Sequence, residues 1–131
     1  MRIYLCGPIN GCTDEECKDW RLHIKQQMGA DLCIDPMRRD YRGREDQCVE
    51  EIVELDKIDV LQSTLVLVNY DRPSVGTSME VLFAWMHHKP IVVVCKPGTV
   101  ISPWLRYHSN YIVNSFEDAI AIIGVYARGE V

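Results

Sequence analysis

Glu80 sits in the run Asp71-Arg72-Pro73-Ser74-Val75-Gly76-Thr77-Ser78-Met79-Glu80, between a strand-like apolar stretch and a helical pattern. A short Gly/Ser loop after a buried strand would carry this acid into the first turn of a helix. That is the carboxyl edge of the sheet, where open α/β folds bind ligands. A helix amino end favours the ionised form of an acid, and an ionised carboxylate can serve as a nucleophile. The same spacing, Thr77-x-x-Glu80, is also a capping box, in which Glu80 would only tie down backbone N–H groups. Spacing alone leaves both readings open. Tyr4 by itself reads as a strand tyrosine packed at a sheet edge. Asp56 and Asp59, in Glu54-Leu55-Asp56-Lys57-Ile58-Asp59, read as solvated helix surface.

The elements that must position these groups alternate along the chain. A strand is expected at Arg2–Cys6, then a helix over Asp14–Met28 capped by Thr13, with Trp20, Ile24 and Met28 on one face. A short strand at Asp31–Ile34 leads into a polar loop, Asp35–Asp46, that holds Arg38, Arg39, Arg42 and Arg44. These arginines read as a solvated basic patch. A second helix spans Gln47–Gln62, and a third strand Thr64–Asn69. A helix over Ser78–His88 follows, then a strand at Ile91–Cys95 and a loop through Lys96-Pro97-Gly98 to Ser102-Pro103-Trp104. Tyr111–Val113 reads as a short strand, and Phe116–Tyr126 as a last helix capped by Ser115. Strands alternating with helices indicate βαβ units and a mostly parallel sheet. The expectation is a single-domain α/β three-layer sandwich of five strands, flavodoxin- or Rossmann-like, over residues 1–131.

Length and composition exclude several classes. A chain of 131 residues suits one core and is short for two. A net charge of −5 argues against a nucleic-acid polymer as partner. No apolar run approaches membrane-spanning length, and the stretch after Arg2 is too short for a signal-peptide core. The six cysteines show no zinc-like pairing, and Cys6, Cys33 and Cys95 fall in apolar strands, so free thiols in a cytoplasmic protein are expected. His87 and His88 are adjacent on a helix and point roughly 100° apart, which is not a metal-binding pair. Gly7 and Gly11 after the first strand do not make a G-x-G-x-x-G fingerprint, and no P-loop is present. No cofactor and no metal are expected.

The opening Arg2-Ile3-Tyr4-Leu5-Cys6-Gly7-Pro8-Ile9-Asn10-Gly11, the Ser74-x-Gly76-x-x-Met79-Glu80 segment and Ser102-Pro103-Trp104 occur in this order. Together they resemble the nucleoside 2-deoxyribosyltransferase family, which includes the deoxyribonucleoside 5′-monophosphate N-hydrolases. The resemblance implies that Glu80 is the nucleophile attacking C1′. It implies that Tyr4 orients that carboxylate and that Asp56 is a second acid serving the sugar or the leaving base. The eighteen-residue spacing to Ser74 favours Asp56 over Asp59. Gly7, Pro8, Ile9, Asn10, Ser74, Gly76, Ser102 and Trp104 would line the substrate, with Ser102 supplied by a neighbouring subunit of a homodimer or larger even-numbered assembly. Ser74 stands where the transferases often carry Asp and the monophosphate hydrolases Ser, since a hydroxyl tolerates a 5′-phosphate that a carboxylate would repel. Asn10 stands where the hydrolases carry an Arg, and Arg38, Arg39, Arg42, Arg44, Arg72 or Arg106 could supply the missing charge. The implied partner is a small nucleoside or nucleotide. Three functions are weighed: deoxyribosyl transfer between bases, hydrolysis of deoxynucleoside monophosphates, and a non-catalytic nucleotide-binding module.

Overall fold

Strict alternation of side-chain direction along each strand splits the core into two layers. The computed structural model describes residues 1–130. Its elements are β1 (Ile3–Cys6), α1 (Asp14–Met28), β2 (Cys33–Ile34), α2 (Val49–Gln62), β3 (Leu65–Asn69), α3 (Val75–Met86), β4 (Ile91–Val94), α4 (Pro103–Tyr107), β5 (Tyr111–Val113) and α5 (Phe116–Ala127). The sheet order is β2-β1-β3-β4-β5, and every pairing is parallel. The α/β three-layer arrangement expected from the alternating pattern is therefore the one observed, with the sheet wholly parallel.

Ile3, Leu5, Leu65, Leu67, Val92 and Val94 face one way and pack against Trp20 and Ile24 of α1 and Ala119 and Ile123 of α5. Tyr4, Cys6, Val66, Val68, Ile91 and Val93 face the other way, against Val60 of α2, Val81 and Ala84 of α3 and Leu105 of α4. Burying each such aliphatic side chain contributes about 1.5–3 kcal/mol relative to exposure. β3 up to Val68 and all of β4 are apolar because both of their faces are covered. All six cysteines are free. No helix among the described residues is long and apolar enough to cross a membrane.

Several local expectations are corrected. Tyr4 is not at a sheet edge: β1 lies between β2 and β3, and Tyr4 is fully buried. The second strand is only Cys33–Ile34, after a 3-10 turn over Ala30–Leu32. The Asp35–Asp46 loop contains the 3-10 turn Pro36–Arg38 and leads into another at Glu45–Gln47. The segment read as a loop around Trp104 is the short helix α4, with Pro103 in its first turn. The Thr13 and Ser115 caps are present as expected.

The correction that matters most for the site is the start of α3. It begins at Val75, three residues before the expected Ser78, because Ser74 serves as its N-cap and accepts from the Thr77 N–H at 3.3 Å. Glu80 is therefore in the second turn. It has no capping role, and it gains less from the helix amino end than a first-turn acid would.

Candidate active site

β1 and α3 meet where the strand carboxyl ends open into a cavity of about 300 Å³, a volume that suits a small molecule. The β1 side chain pointing towards α3 is Tyr4, and the α3 residue it meets is Glu80. The Tyr4 hydroxyl donates a short hydrogen bond to Glu80 Oε2. Glu80 is half-buried, with its open side on the cavity. Burial, reinforced by the Asp56 charge, pushes its carboxyl up to about 8, against the opposing effects of the Tyr4 hydrogen bond and of Arg21. This overturns the expectation that the helix amino end keeps Glu80 ionised: dehydration outweighs the helix field here. Burial and the neighbouring Glu80 charge push the Tyr4 phenol well above its ordinary value, so Tyr4 remains a donor.

Asp56 and Asp59 are separated by the helix period. Asp56 lines the cavity from α2, which packs beside α3. Asp59 is 2% exposed and is held by Arg38 at 2.7 Å and Arg39 at 2.7 Å. Of the two, Asp56 is thus the one that can touch a ligand. Burial raises its carboxyl to about 6, although Arg39 draws it down. A carboxyl of that kind exchanges protons near neutral pH, as a general acid or base must.

Of the loop arginines, Arg44 is exposed without a carboxylate partner among the described residues, but the others are not a solvated patch. Arg38 and Arg39 pair with Asp59, Arg42 pairs with Asp14 and Asp40, and Arg72 pairs with Glu16 and Asp71. Pairing with carboxylates of α1 and α2, and with Asp40 of the loop itself, replaces solvation. Arg39 and Arg42 stand on the cavity wall with Tyr41, Val49, Ile52 and Val53. Arg39 and Arg42 are among the arginines that the sequence offers as a phosphate-binding charge, while Tyr41, Val49, Ile52 and Val53 are not singled out by it as site residues. The available signal was position: a loop following a strand's carboxyl end in a parallel sheet faces the ligand crevice.

Of the first-turn residues, Gly7, Ile9 and Asn10 line the cavity, while Pro8 is buried outside its lining. Gly7 is required by close approach, since a Cβ there would lie 2.9 Å from the Trp20 ring and 3.3 Å from the Asn69 carbonyl oxygen. Behind this turn the buried Arg21 donates to the carbonyls of Leu5 at 3.2 Å, Gly7 at 3.1 Å and Cys17 at 2.6 Å. It thereby holds the end of β1 against α1. Ser74 and Gly76 line the cavity from the start of α3, and because Ser74 Oγ accepts from Thr77, its own hydrogen is free to donate outward.

Ser102 and Trp104 are not brought to this cavity. Ser102 caps α4, accepting from the Leu105 N–H at 3.2 Å. Trp104 is 72% exposed and stacks on His108. His87 and His88 are exposed just beyond the end of α3. Among the described residues, no cluster of His, Cys, Asp and Glu could hold a metal ion.

No protein-family model matches the chain, and no curated protein matches its sequence. Solved structures do match. A 2-deoxyribosyltransferase from the psychrotolerant bacterium Bacillus psychrosaccharolyticus superposes with a TM-score of 0.71 at 13% identity, over 91% of this chain and 90% of that one. A CMP N-glycosidase from Clostridium botulinum superposes with a TM-score of 0.61 at 18% identity, over 95% of this chain and 99% of that one. Along nearly its whole length, the chain has the fold of these two enzymes.

Proposed function

We propose that this chain cleaves the N-glycosidic bond of 2′-deoxyribonucleosides or their 5′-monophosphates and transfers the deoxyribose to another base. The observation that carries this reading is a cavity lined by both Glu80 and Asp56, with Tyr4 buried behind it and donating to Glu80. Glu80, once ionised, attacks C1′ as the C1′–N bond breaks and its electron pair leaves with the base. The Tyr4 hydroxyl keeps the attacking carboxylate aimed. Asp56 delivers a proton to the departing base and recovers one from the acceptor. Attack of the acceptor on C1′ then releases Glu80 with net retention, the outcome of two displacements at a carboxylate.

Hydrolysis of a monophosphate is the second reading. Ser74 favours it, because the residue on the cavity wall is an uncharged donor rather than a carboxylate. The CMP N-glycosidase among the structural neighbours points the same way. A binding module that performs no chemistry is the weakest reading, since simple binding gives no reason to bury a carboxyl group under a tyrosine hydroxyl.

The working form is proposed to be a homodimer or larger even-numbered assembly. Val75, Met79 and Met86 of α3 and Trp104 and Tyr107 of α4 are all more than 60% exposed, which is typical of surfaces covered by a partner. Ser102 and Trp104 lie outside their own chain's cavity, so a neighbouring copy is the route by which they would reach a substrate. The deciding experiment incubates the protein with deoxynucleosides and their 5′-monophosphates, with and without a free acceptor base. Exchanged nucleosides support transfer, and free base without exchange supports hydrolysis. The absence of either product across all four bases would refute the reading.

A further inference from the structure

Two arginines stand on the cavity wall, and they differ in how much of their hydrogen-bonding capacity is already used. Every nitrogen of Arg42 is engaged: Nε with Asp40 at 3.0 Å, Nη1 with the Cys12 carbonyl at 3.1 Å, and Nη2 with Asp14 at 2.6 Å and Asp40 at 2.8 Å. Arg39 is held through one nitrogen only, its Nη2, which donates to Asp59 at 2.7 Å and reaches Asp56 at 3.4 Å. Its Nε is buried without any partner. Its Nη1 makes no hydrogen bond within the described residues, and the side chain remains 20% exposed on the cavity wall. An arginine fixed at one corner by two carboxylates and left with free N–H groups is suited to hold something that enters the cavity.

The direction of entry follows from the function proposed above, on which this inference rests. A nucleoside with C1′ at Glu80 and its 5′ side towards Ser74 turns its base to the opposite wall. On the side formed by α2 and the loop before it, the lining includes Asp56, Arg39, Tyr41, Ile52 and Val53, an apolar and aromatic surface with two charged groups. We propose that Arg39 is a catalytic residue on the leaving-group side. Its Nη1–H donates to the carbonyl oxygen beside the glycosidic nitrogen of a pyrimidine and holds the charge that gathers there as the bond breaks. The electron pair of the C1′–N bond moves into the base and is shared between the ring nitrogen and that oxygen, while a Glu80 oxygen forms the new bond to C1′. A guanidinium does not give up its proton. Arg39 therefore stabilises the anion by charge, and the proton that completes the free base comes from Asp56.

The test compares wild type, Arg39→Met and Arg39→Lys on thymine, uracil and 5-fluorouracil deoxynucleosides and their 5′-monophosphates. Loss of a donor to developing charge should lower kcat/KM for thymine by about 100-fold. The loss should be smaller for uracil and smallest for 5-fluorouracil, whose ring carries negative charge most readily unaided. Arg39→Lys retains the pairing with Asp59 but spends its single amine there, so it should show the same ranking. It also decides the matter if Arg39→Met does not fold. Equal losses on all three bases would mean that Arg39 only holds Asp56 or the loop, and would overturn the inference. So would a loss under about threefold, or a wild type that cleaves only purine substrates. If wild type releases no base at all, the glycosidic reading itself falls. If it cleaves and the losses are uniform, only the role of Arg39 does.

Discussion

The two faces of the sheet are finished to different degrees. On the α1 and α5 face, Leu22 is the only large apolar side chain of either helix that is substantially exposed among the described residues. On the other face, α2 exposes Val49, Val53, Ile58 and Leu61, α3 exposes Val75, Met79 and Met86, and α4 exposes Trp104 and Tyr107. Polar groups differ in the same way. The α1 side has its capping box closed at Thr13 and Glu16, and its one buried guanidinium, Arg21, is satisfied by three carbonyls. The α2/α3 side carries a half-buried Glu80 raised to about 8 and an Asp56 raised to about 6. Unpartnered buried polar atoms occur on both sides, Trp20 Nε1 with α1 and the Thr77 hydroxyl and Arg39 Nε with the other face, so the contrast rests on the two raised carboxyls. A face built only for stability has no reason to keep such groups dehydrated, because each opposes folding. They are tolerated where they do chemistry, so the unfinished face is the working one.

The largest expected effect is on that face. Glu80→Ala should lower turnover by about a thousandfold or more, since it removes the nucleophile itself, while circular dichroism and thermal unfolding remain those of a folded protein. A closed-face change such as Ile24→Ala should do the reverse. It should cost about 2–5 kcal/mol of stability and leave kcat largely unchanged at temperatures where the protein is folded. If the two variants behaved alike, the contrast between the faces would be lost.

Assembly separates the faces next. Met79→Glu places a charge in the exposed stripe of α3 and should shift sedimentation towards a monomer with a parallel loss of activity. Leu22→Glu, on the closed face, should change neither. A wild type that sediments as a fully active monomer would show that the open apolar face has another purpose.

The fold was legible because periodicity is a property of the whole chain. Alternation of β3 with α3 and of β4 with β5 shows in uninterrupted runs of Val, Leu and Ile, and no single residue can disguise it. The site was legible in part. The resemblance singled out Tyr4, Asp56 and Glu80; the last two line one cavity, and Tyr4 is bonded to Glu80 from the core. The ionisation of Glu80 was not legible, because it depends on where α3 begins and on what buries the carboxyl. The start of α3 turned on whether Ser74 or Thr77 serves as the cap, and both are good capping residues. The arginines were misread because their partners, Asp14, Asp56 and Asp59, lie about 17 to 28 residues away along the chain, where local pattern carries no information. Whether Ser102 and Trp104 take part depends on a second copy, which no single-chain pattern describes.

Ser74→Asp tests the 5′ end of the cavity with a smaller effect. Aspartate caps a helix as well as serine does, so α3 should keep its start and the melting temperature should hold within about 2 °C. The added carboxylate would repel a 5′-phosphate, and monophosphate turnover should fall about tenfold or more while nucleoside turnover is spared. Equal losses on both substrates would mean that Ser74 does not face the 5′ position.

The smallest effect is on stability and reports the state of Glu80 directly. Its folded-state value of about 8 lies above the ordinary 4.5, so between those values the folded protein binds a proton that the unfolded chain has released. The contribution of this proton is fully present below about pH 4.5 and is lost as pH rises through about 8. Glu80→Gln retains an acceptor for the Tyr4 hydroxyl and has no proton to lose. Its melting temperature should match that of wild type near pH 5 and exceed it by on the order of 5 °C near pH 9. In catalysis Glu80 must be ionised while Asp56 is protonated, so wild-type kcat/KM should rise with pH to about 6, stay level between about 6 and 8, and fall above about 8. A Glu80→Gln protein that melts in step with wild type across this range would show Glu80 already ionised at neutral pH.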